Sequence, residues 1–163
     1  MRTAKCESSR IWIAPMKPSD LPEVARIERD SFSQPWSEIG FRDTIKGKDA
    51  LYLVARLEDS RELAGYCGLL QSFDTADVMN VAVRKDLQGR GIGYAMLLYL
   101  MELGRARGVL RFTLEVRKSN TAALRLYEKL GFVFAGNRKN FYQKPAEDAV
   151  IMWTGPLDDA VLR

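Results

Sequence analysis

The stretch "VAVRKDLQGRGIGYAMLLYLMELGRARG", residues 81–108, constrains this chain more than any other. An apolar, strand-like run stops at Arg84 and a short charged loop follows. Three glycines then arrive at alternate positions, Gly89, Gly91 and Gly93, and lead into a long apolar segment of helical period. A strand that ends in a glycine turn at a helix start leaves the first helical N–H groups without partners. Those donors and the helix dipole favour negative charge, and glycine lets an anion approach bare backbone. Arg84, Lys85 and Arg90 add positive charge at the same mouth. The spacing is neither the dinucleotide fingerprint nor a P-loop, since no Gly-Lys-Ser/Thr follows. A tight strand-to-helix connection alone would also use glycines. Three of them beside a basic rim favour a pyrophosphate.

The pattern on either side reads as a mixed α/β sheet with helices packed on it. Ile92, Ala95, Met96, Tyr99 and Leu103 form a helical stripe, which Leu97, Leu98, Leu100 and Met101 widen, and Gly108 ends the helix. "RIWIAP" reads as a first strand. Ser19 or Asp20 caps the helix after it, with Val24 and Ile27 as apolar anchors and Glu28 and Ser31 at the same spacing. "SQPW" breaks that helix and Ser37 caps a second one to about Ile45. "ALYLVARL", "ELAGYCGLLQSF" and "ADVMNVAV" are strands joined by polar turns, which makes antiparallel hairpins natural. "VLRFTLEV" is a strand, and "SNTAALRLYEKLG" is a helix capped by Ser119 or Asn120, with Ala123, Leu126, Tyr127 and Leu130 on its stripe. "FVFAGNRKNFY" and "DAVIMWTG" are the last strands.

The 163 residues suit one domain, expected over 1–163 with its core at about 11–155. Hydrophobic residues at 47% and charged residues at 28% describe a chain that folds. A net charge of +4 fits an anionic ligand and is too small to argue nucleic-acid binding. The chain has no histidine, which excludes a Ser-His-Asp triad, a Cys-His dyad and a His-ligated zinc site. Cys6 and Cys67 form no metal spacing, and Cys67 in "LAGYCGLL" reads as a buried free thiol. No metal, no membrane contact and no direct nucleic-acid partner are expected, and a cytoplasmic monomer is the favoured setting.

At these residues the chain resembles a known family. "NVAVRKDLQGRGIG" is similar to motif A of the GNAT acetyltransferase superfamily, with Gln88, Gly91 and Gly93 filling its Gln/Arg-x-x-Gly-x-Gly/Ala signature. "IERDSFSQPWS", "LEVRKSNTAALRLYEKLGF" and "GNRKNFYQKPAEDAVIM" resemble its RimI branch, which acetylates the N-terminal alanine of a small-subunit ribosomal protein. The resemblance runs from about Ile11 to Trp153. It implies a GNAT fold, with a single mixed, largely antiparallel sheet of about seven strands and about four helices. It implies acetyl-coenzyme A as cosubstrate, held by Val81, Ala82, Val83, Gln88, Gly89, Arg90, Gly91, Ile92, Gly93, Tyr94, Asn120 and Tyr127. It places the acceptor, the N-terminus of a ribosomal or other protein, against Glu28, Phe32, Pro35, Trp36 and Tyr142. Phe141 departs from the pattern, since relatives commonly carry a second tyrosine there.

Acetyl transfer from a thioester to an α-amine is chemistry that needs no histidine, because that amine has a pKa of only about 8. In "RFTLEV" Glu115 shares a strand face with Thr113 and Arg117, so an ion pair with Arg117 is the bland reading of that carboxylate. The resemblance makes Glu115 the base. It makes Tyr127, otherwise one more core aromatic, the acid, and an ordinary phenol pKa of about 10 suits that task. It puts a backbone N–H near Val83 at the oxyanion. For Glu28 the bland reading is a solvated helix residue, for Trp36 a core anchor, and for "RKN" at 138–140 a solvated turn. Two rivals remain open: a GNAT enzyme acting on lysine or a small amine, and a coenzyme A-binding, ribosome-associated module without turnover.

Overall fold

The structure, a computed structural model, describes residues 1–7 and 9–154. In chain order the strands are β1 (Arg2–Cys6), β2 (Ser9–Pro15), β3 (Ala50–Leu57), β4 (Leu63–Ser72), β5 (Thr75–Val83), β6 (Arg111–Arg117), β7 (Val133–Tyr142) and β8 (Glu147–Thr154). The helices are α1 (Leu21–Ser31) and α2 (Glu38–Ile45) between β2 and β3, α3 (Ile92–Ala106) between β5 and β6, and α4 (Thr121–Lys129) between β6 and β7. Local chemistry accounts for the helix starts. Ser37 Oγ accepts from the Gly40 N–H at 3.0 Å and Asn120 Oδ1 from the Ala123 N–H at 3.2 Å, so each caps its helix. Asp20 stands at the head of α1 without capping it, because its carboxylate is taken by the Lys17 N–H and by Arg56.

All eight strands form one sheet, in the order β1-β2-β3-β4-β5-β6-β8-β7. Every pairing is antiparallel except β5 with β6. That parallel pairing covers only Thr75–Asp77 against Arg111–Thr113. Beyond it β5 stays paired to β4 and β6 to β8, so the sheet opens along this seam. One face of the sheet packs against α3 and α4 through Leu53, Leu69, Met96, Leu97, Leu100, Phe112 and Tyr127. The other carries α1 and α2 on Tyr52, Val54, Tyr66 and Ala82.

The sheet has one strand more than the seven expected. The extra strand is β1, "RTAKC", whose short polar alternation carries little β signal of its own. Tertiary contacts hold it: full pairing with β2, the Arg2–Glu102 ion pair to α3 and the packing of Arg2 over the Tyr99 ring at 4.5 Å. Gly155, the last residue of the expected final strand, lies outside the described residues, as does the chain after it.

Candidate active site

The seam and the glycine turn together make a cleft lined with free backbone. On its open side the 78–83 stretch of β5 has no strand partner, so the N–H and C=O groups not bonded to β4 face the gap. A backbone edge left in this way is a ready partner for an extended, amide-bearing ligand. The stretch leads through a turn at Lys85–Leu87 to α3. Gly89 and Gly91 adopt φ of +77° and +88°, which other residues reach only with strain. No side chain caps α3, so its first N–H groups are free for an anion. Gly93 serves packing instead: a Cβ there would come within 3.3 Å of Leu126 in α4. The Gln88 amide points inward and donates to the Val83 carbonyl at 3.2 Å.

The basic rim is less free than the sequence implies. Arg84 is held by Asp86 at 2.6 Å and Glu62 at 3.2 Å. Beside it a cleft of about 520 Å³ opens between α1 and the turn after β5, lined by Ile27, Asp30, Ser31, Leu63, Arg84 and Lys85 among others.

Glu115 and Tyr127 lie on opposite faces of β6. The alternation expected in "RFTLEV" is present: Phe112, Leu114 and Val116 are buried, while Thr113, Glu115 and Arg117 are half-exposed on the other face. The Glu115–Arg117 pair of the bland reading does not form. Glu115 pairs with Arg138 at 3.3 Å. Arg117 turns to the β7–β8 hairpin, bonding Glu147 at 3.3 Å and the Gln143 and Pro145 carbonyls at 2.9 and 3.0 Å. Residues 138–140 fall within β7 and are exposed, at an irregular part of its pairing with β8. Tyr127 is buried, and burial pushes its hydroxyl well above the ordinary phenol value, contrary to the value near 10 expected from sequence. Tyr142, on the hairpin, lies under Arg117 at 4.5 Å, and burial followed by the Glu115 charge pushes it up to about 12.

On the acceptor side, Phe32 and Pro35 are exposed in the loop between α1 and α2, and Trp36 is half-buried against Phe41 at 5.3 Å. Glu28 is neither solvated nor open: it is 2% exposed, and Tyr66, Asn80 and the Trp36 N–H all donate to it. Sequence reading missed Tyr52, Tyr66, Asn80, Arg117 and Arg138 as members of this region. A signal for three of them was available, because a tyrosine or asparagine inside an apolar strand needs a hydrogen-bond partner. Asn120 uses its oxygen as a helix cap, a role that does not engage its amide N–H groups. Cys67 is fully buried and free, and burial raises its thiol, so it is not a nucleophile at neutral pH.

Known proteins resemble this chain in sequence and in fold. The sequence profile of the acetyltransferase (GNAT) family matches residues 21–132. The ribosomal protein bS18-alanine N-acetyltransferase of Escherichia coli (strain K12) is 37% identical over 142 residues, which are 86% of this chain and 94% of that protein. The enzyme of that name from Haemophilus influenzae is 33% identical over 143 residues, 86% of this chain and 95% of that one. Among solved structures, the E. coli ribosomal-protein-S18-alanine N-acetyltransferase superposes with a TM-score of 0.80 at 35% identity, covering 89% of this chain and 93% of that one. Ard1 of Thermoplasma volcanium superposes with a TM-score of 0.82 at 25% identity, covering 91% and 99%. With its open seam, its uncapped glycine turn and relatives that match over most of both lengths, this chain belongs to the GNAT family of acetyltransferases, in its RimI-like branch.

Proposed function

We propose that this acetyltransferase moves the acetyl group of acetyl-coenzyme A to a free protein N-terminus, the N-terminal alanine of a small-subunit ribosomal protein. The observation that carries the reading is the parting of β5 from β6, with an uncapped helix start at one end of the gap and Glu115 and Tyr127 flanking it. The residues fit the cosubstrate. The start of α3, from Gln88 to Gly93 with Tyr94 in its first turn, suits a pyrophosphate, and the free edge of Val81, Ala82 and Val83 suits an amide-bearing arm. Acetyl-coenzyme A supplies an activated thioester. Glu115 takes the proton from the incoming ammonium, directly or through one water, and leaves its lone pair free to attack the carbonyl carbon. A backbone N–H near Val83 meets the oxygen that gains charge. As the carbon–sulfur bond breaks, Tyr127 gives its hydroxyl proton to the sulfur, and the nitrogen, which carries one proton more than the amide, gives it up through solvent to restore the Tyr127 hydroxyl. A raised pKa keeps that proton in place until it is needed.

Phe32, Pro35 and Trp36 border the groove on the α1 side, and Tyr142 borders it from the hairpin. The family resemblance supports this placement, and relatives named for alanine N-acetylation support the choice of acceptor. The test is to incubate the protein with acetyl-coenzyme A and an alanine-initiated peptide and to follow free thiol and peptide mass together. Equal release of thiol and gain of acetyl supports the reading. Tight binding of the cosubstrate with no acetyl transferred to any amine contradicts it.

A further inference from the structure

Asp20, Glu28 and Asn80 are the buried polar or charged residues of the described chain. Asp20 is answered by Arg56 at 2.6 Å. Glu28 has no cation partner among the described residues and is met by neutral donors alone. The Tyr66 hydroxyl donates to one oxygen, and the other accepts from Asn80 Nδ2 at 3.3 Å and from the Trp36 N–H at 3.4 Å. Asn80 Oδ1 in turn accepts from the Tyr52 hydroxyl at 2.8 Å. One network thus joins α1, β3, β4 and β5 to the loop before α2.

Two backbone devices build it. A bulge in β5 sets Gly68 opposite Asn80 and Leu69 opposite Val78, leaving Met79 unpaired. The extra residue shifts the phase of the strand and turns Asn80 to the α1 face. Gly68 makes room for the Tyr52 ring, since a Cβ there would lie 2.2 Å from it. The Trp36 ring is held from the same place as its N–H. It packs on Phe41 at 5.3 Å, and Phe41 meets the rings of Tyr66 and Tyr52 edge-on at 5.7 and 6.4 Å.

A buried carboxylate without a cation is unfavourable, and apolar side chains would fill the same space. What hydrogen bonds add over apolar packing is direction, because they specify one loop position. We propose that Tyr66, Asn80 and Tyr52 are positioning residues that act through Glu28. They tether the 32–36 loop to the cofactor strand and thereby set how the acceptor peptide is seated. The inference rests on the acceptor reading above. It assigns Glu28 to the loop's N–H rather than to the peptide itself. Asn80 immediately precedes the 81–83 edge, so the tether ties the acceptor side to the cofactor side through adjacent residues.

The test uses Tyr66→Phe, which removes one donor and keeps the ring, and Asn80→Ala. Asn80→Asp is the diagnostic partner, because it keeps the oxygen for Tyr52 and loses the donor to Glu28. Emission and acrylamide quenching of Trp36 are read without substrate, in a Trp12→Phe, Trp153→Phe background. Peptide and acetyl-coenzyme A kinetics are read in parallel. All three variants should loosen and red-shift Trp36. They should raise the peptide KM by about tenfold, the scale of one lost buried hydrogen bond, with the acetyl-coenzyme A KM within about twofold of wild type. Unchanged Trp36 emission would overturn the tether whatever the activity. Loosened Trp36 with an unchanged peptide KM would overturn its role in seating the acceptor. Wild-type protein inactive on every free N-terminus would sink the acceptor reading instead, and emission alone would then decide the tether. Should Tyr66→Phe fail to fold, the Asn80 pair carries the same comparison.

Discussion

The Arg138 guanidinium lies 3.3 Å from the Glu115 carboxylate, reaching from β7 across β8 to β6. The pair is partly exposed, with side-chain exposures of 57% and 29%, so its share of stability is small, on the order of 0–1 kcal/mol. Its position matters more, since Arg138 holds the carboxylate that the proposed chemistry needs. Glu115→Gln is expected to lower kcat about 10²–10⁴-fold, the usual worth of a positioned base. Unfolding should move by less than about 1 kcal/mol. Arg138→Ala should lower kcat far less. Steady-state kinetics with denaturant unfolding on both variants checks this, and equal losses of kcat would contradict it.

Tyr127 is expected to act as a neutral donor across the whole working range. Burial raises its pKa, so the hydroxyl stays protonated past the ordinary phenol value of about 10. Tyr127→Phe should reduce kcat about 10²-fold or more and leave the acetyl-coenzyme A KM nearly unchanged. The wild-type rate should show no alkaline fall from this group below about pH 10. A pH–rate profile of both proteins is the measurement.

The glycines of the turn do different work. Gly91→Ala forces a side chain into φ of +88° and should cost about 1–2 kcal/mol of stability. It should raise the acetyl-coenzyme A KM and leave the peptide KM alone, because it reshapes the start of α3. Gly93→Val meets Leu126 instead, so its loss should appear first in thermal unfolding. Calorimetry and the two KM values separate these effects.

Glu28 makes stability depend on pH in an uncommon direction. Burial raises its pKa, and the donors from Tyr66, Trp36 and Asn80 pull it only part of the way back. The folded state then holds the proton more tightly than the unfolded state, where the pKa is about 4.3. This group's contribution is present below that value and is lost as pH rises through its folded pKa. Glu28→Gln should therefore flatten the decline of the unfolding midpoint above about pH 4.3. Glu147 and Asp86 run the other way. Hydrogen bonds from Ser119 and Arg84, respectively, lower their pKa values, so both lose stability as pH falls through those values.

Local chemistry was legible wherever it acts within a few residues. Ser37 could be named as a cap and Ser119 or Asn120 as the next, the stretch from Gly89 to Gly93 as a glycine turn into a helix, and the alternation around Glu115 as a strand with one polar face. What escaped depends on neighbours far away in sequence. The partner of Glu115 could not be read, because β8 inserts between β6 and β7 and only then brings Arg138 within reach. Asn80 was hidden by the Met79 bulge, which reverses the alternation of β5 partway along. The burial of Glu28, read as an acceptor-side residue with a solvated helix position as the bland alternative, could not be seen because its donors come from β4, β5 and a loop. β1 escaped because its stability lies in contacts with β2 and α3 and not in its own five residues.

The most direct measurement is mass-spectrometric acetylation of a small peptide panel. One peptide begins Ala-Arg, others begin with Ser or Met, and each is tested with its N-terminus free and blocked, with lysine present in all. The account predicts acetyl on the free Ala-Arg peptide, at its α-amine, and none on the blocked peptides. Acetyl on lysine in the blocked peptides, or none on any free N-terminus, would contradict it.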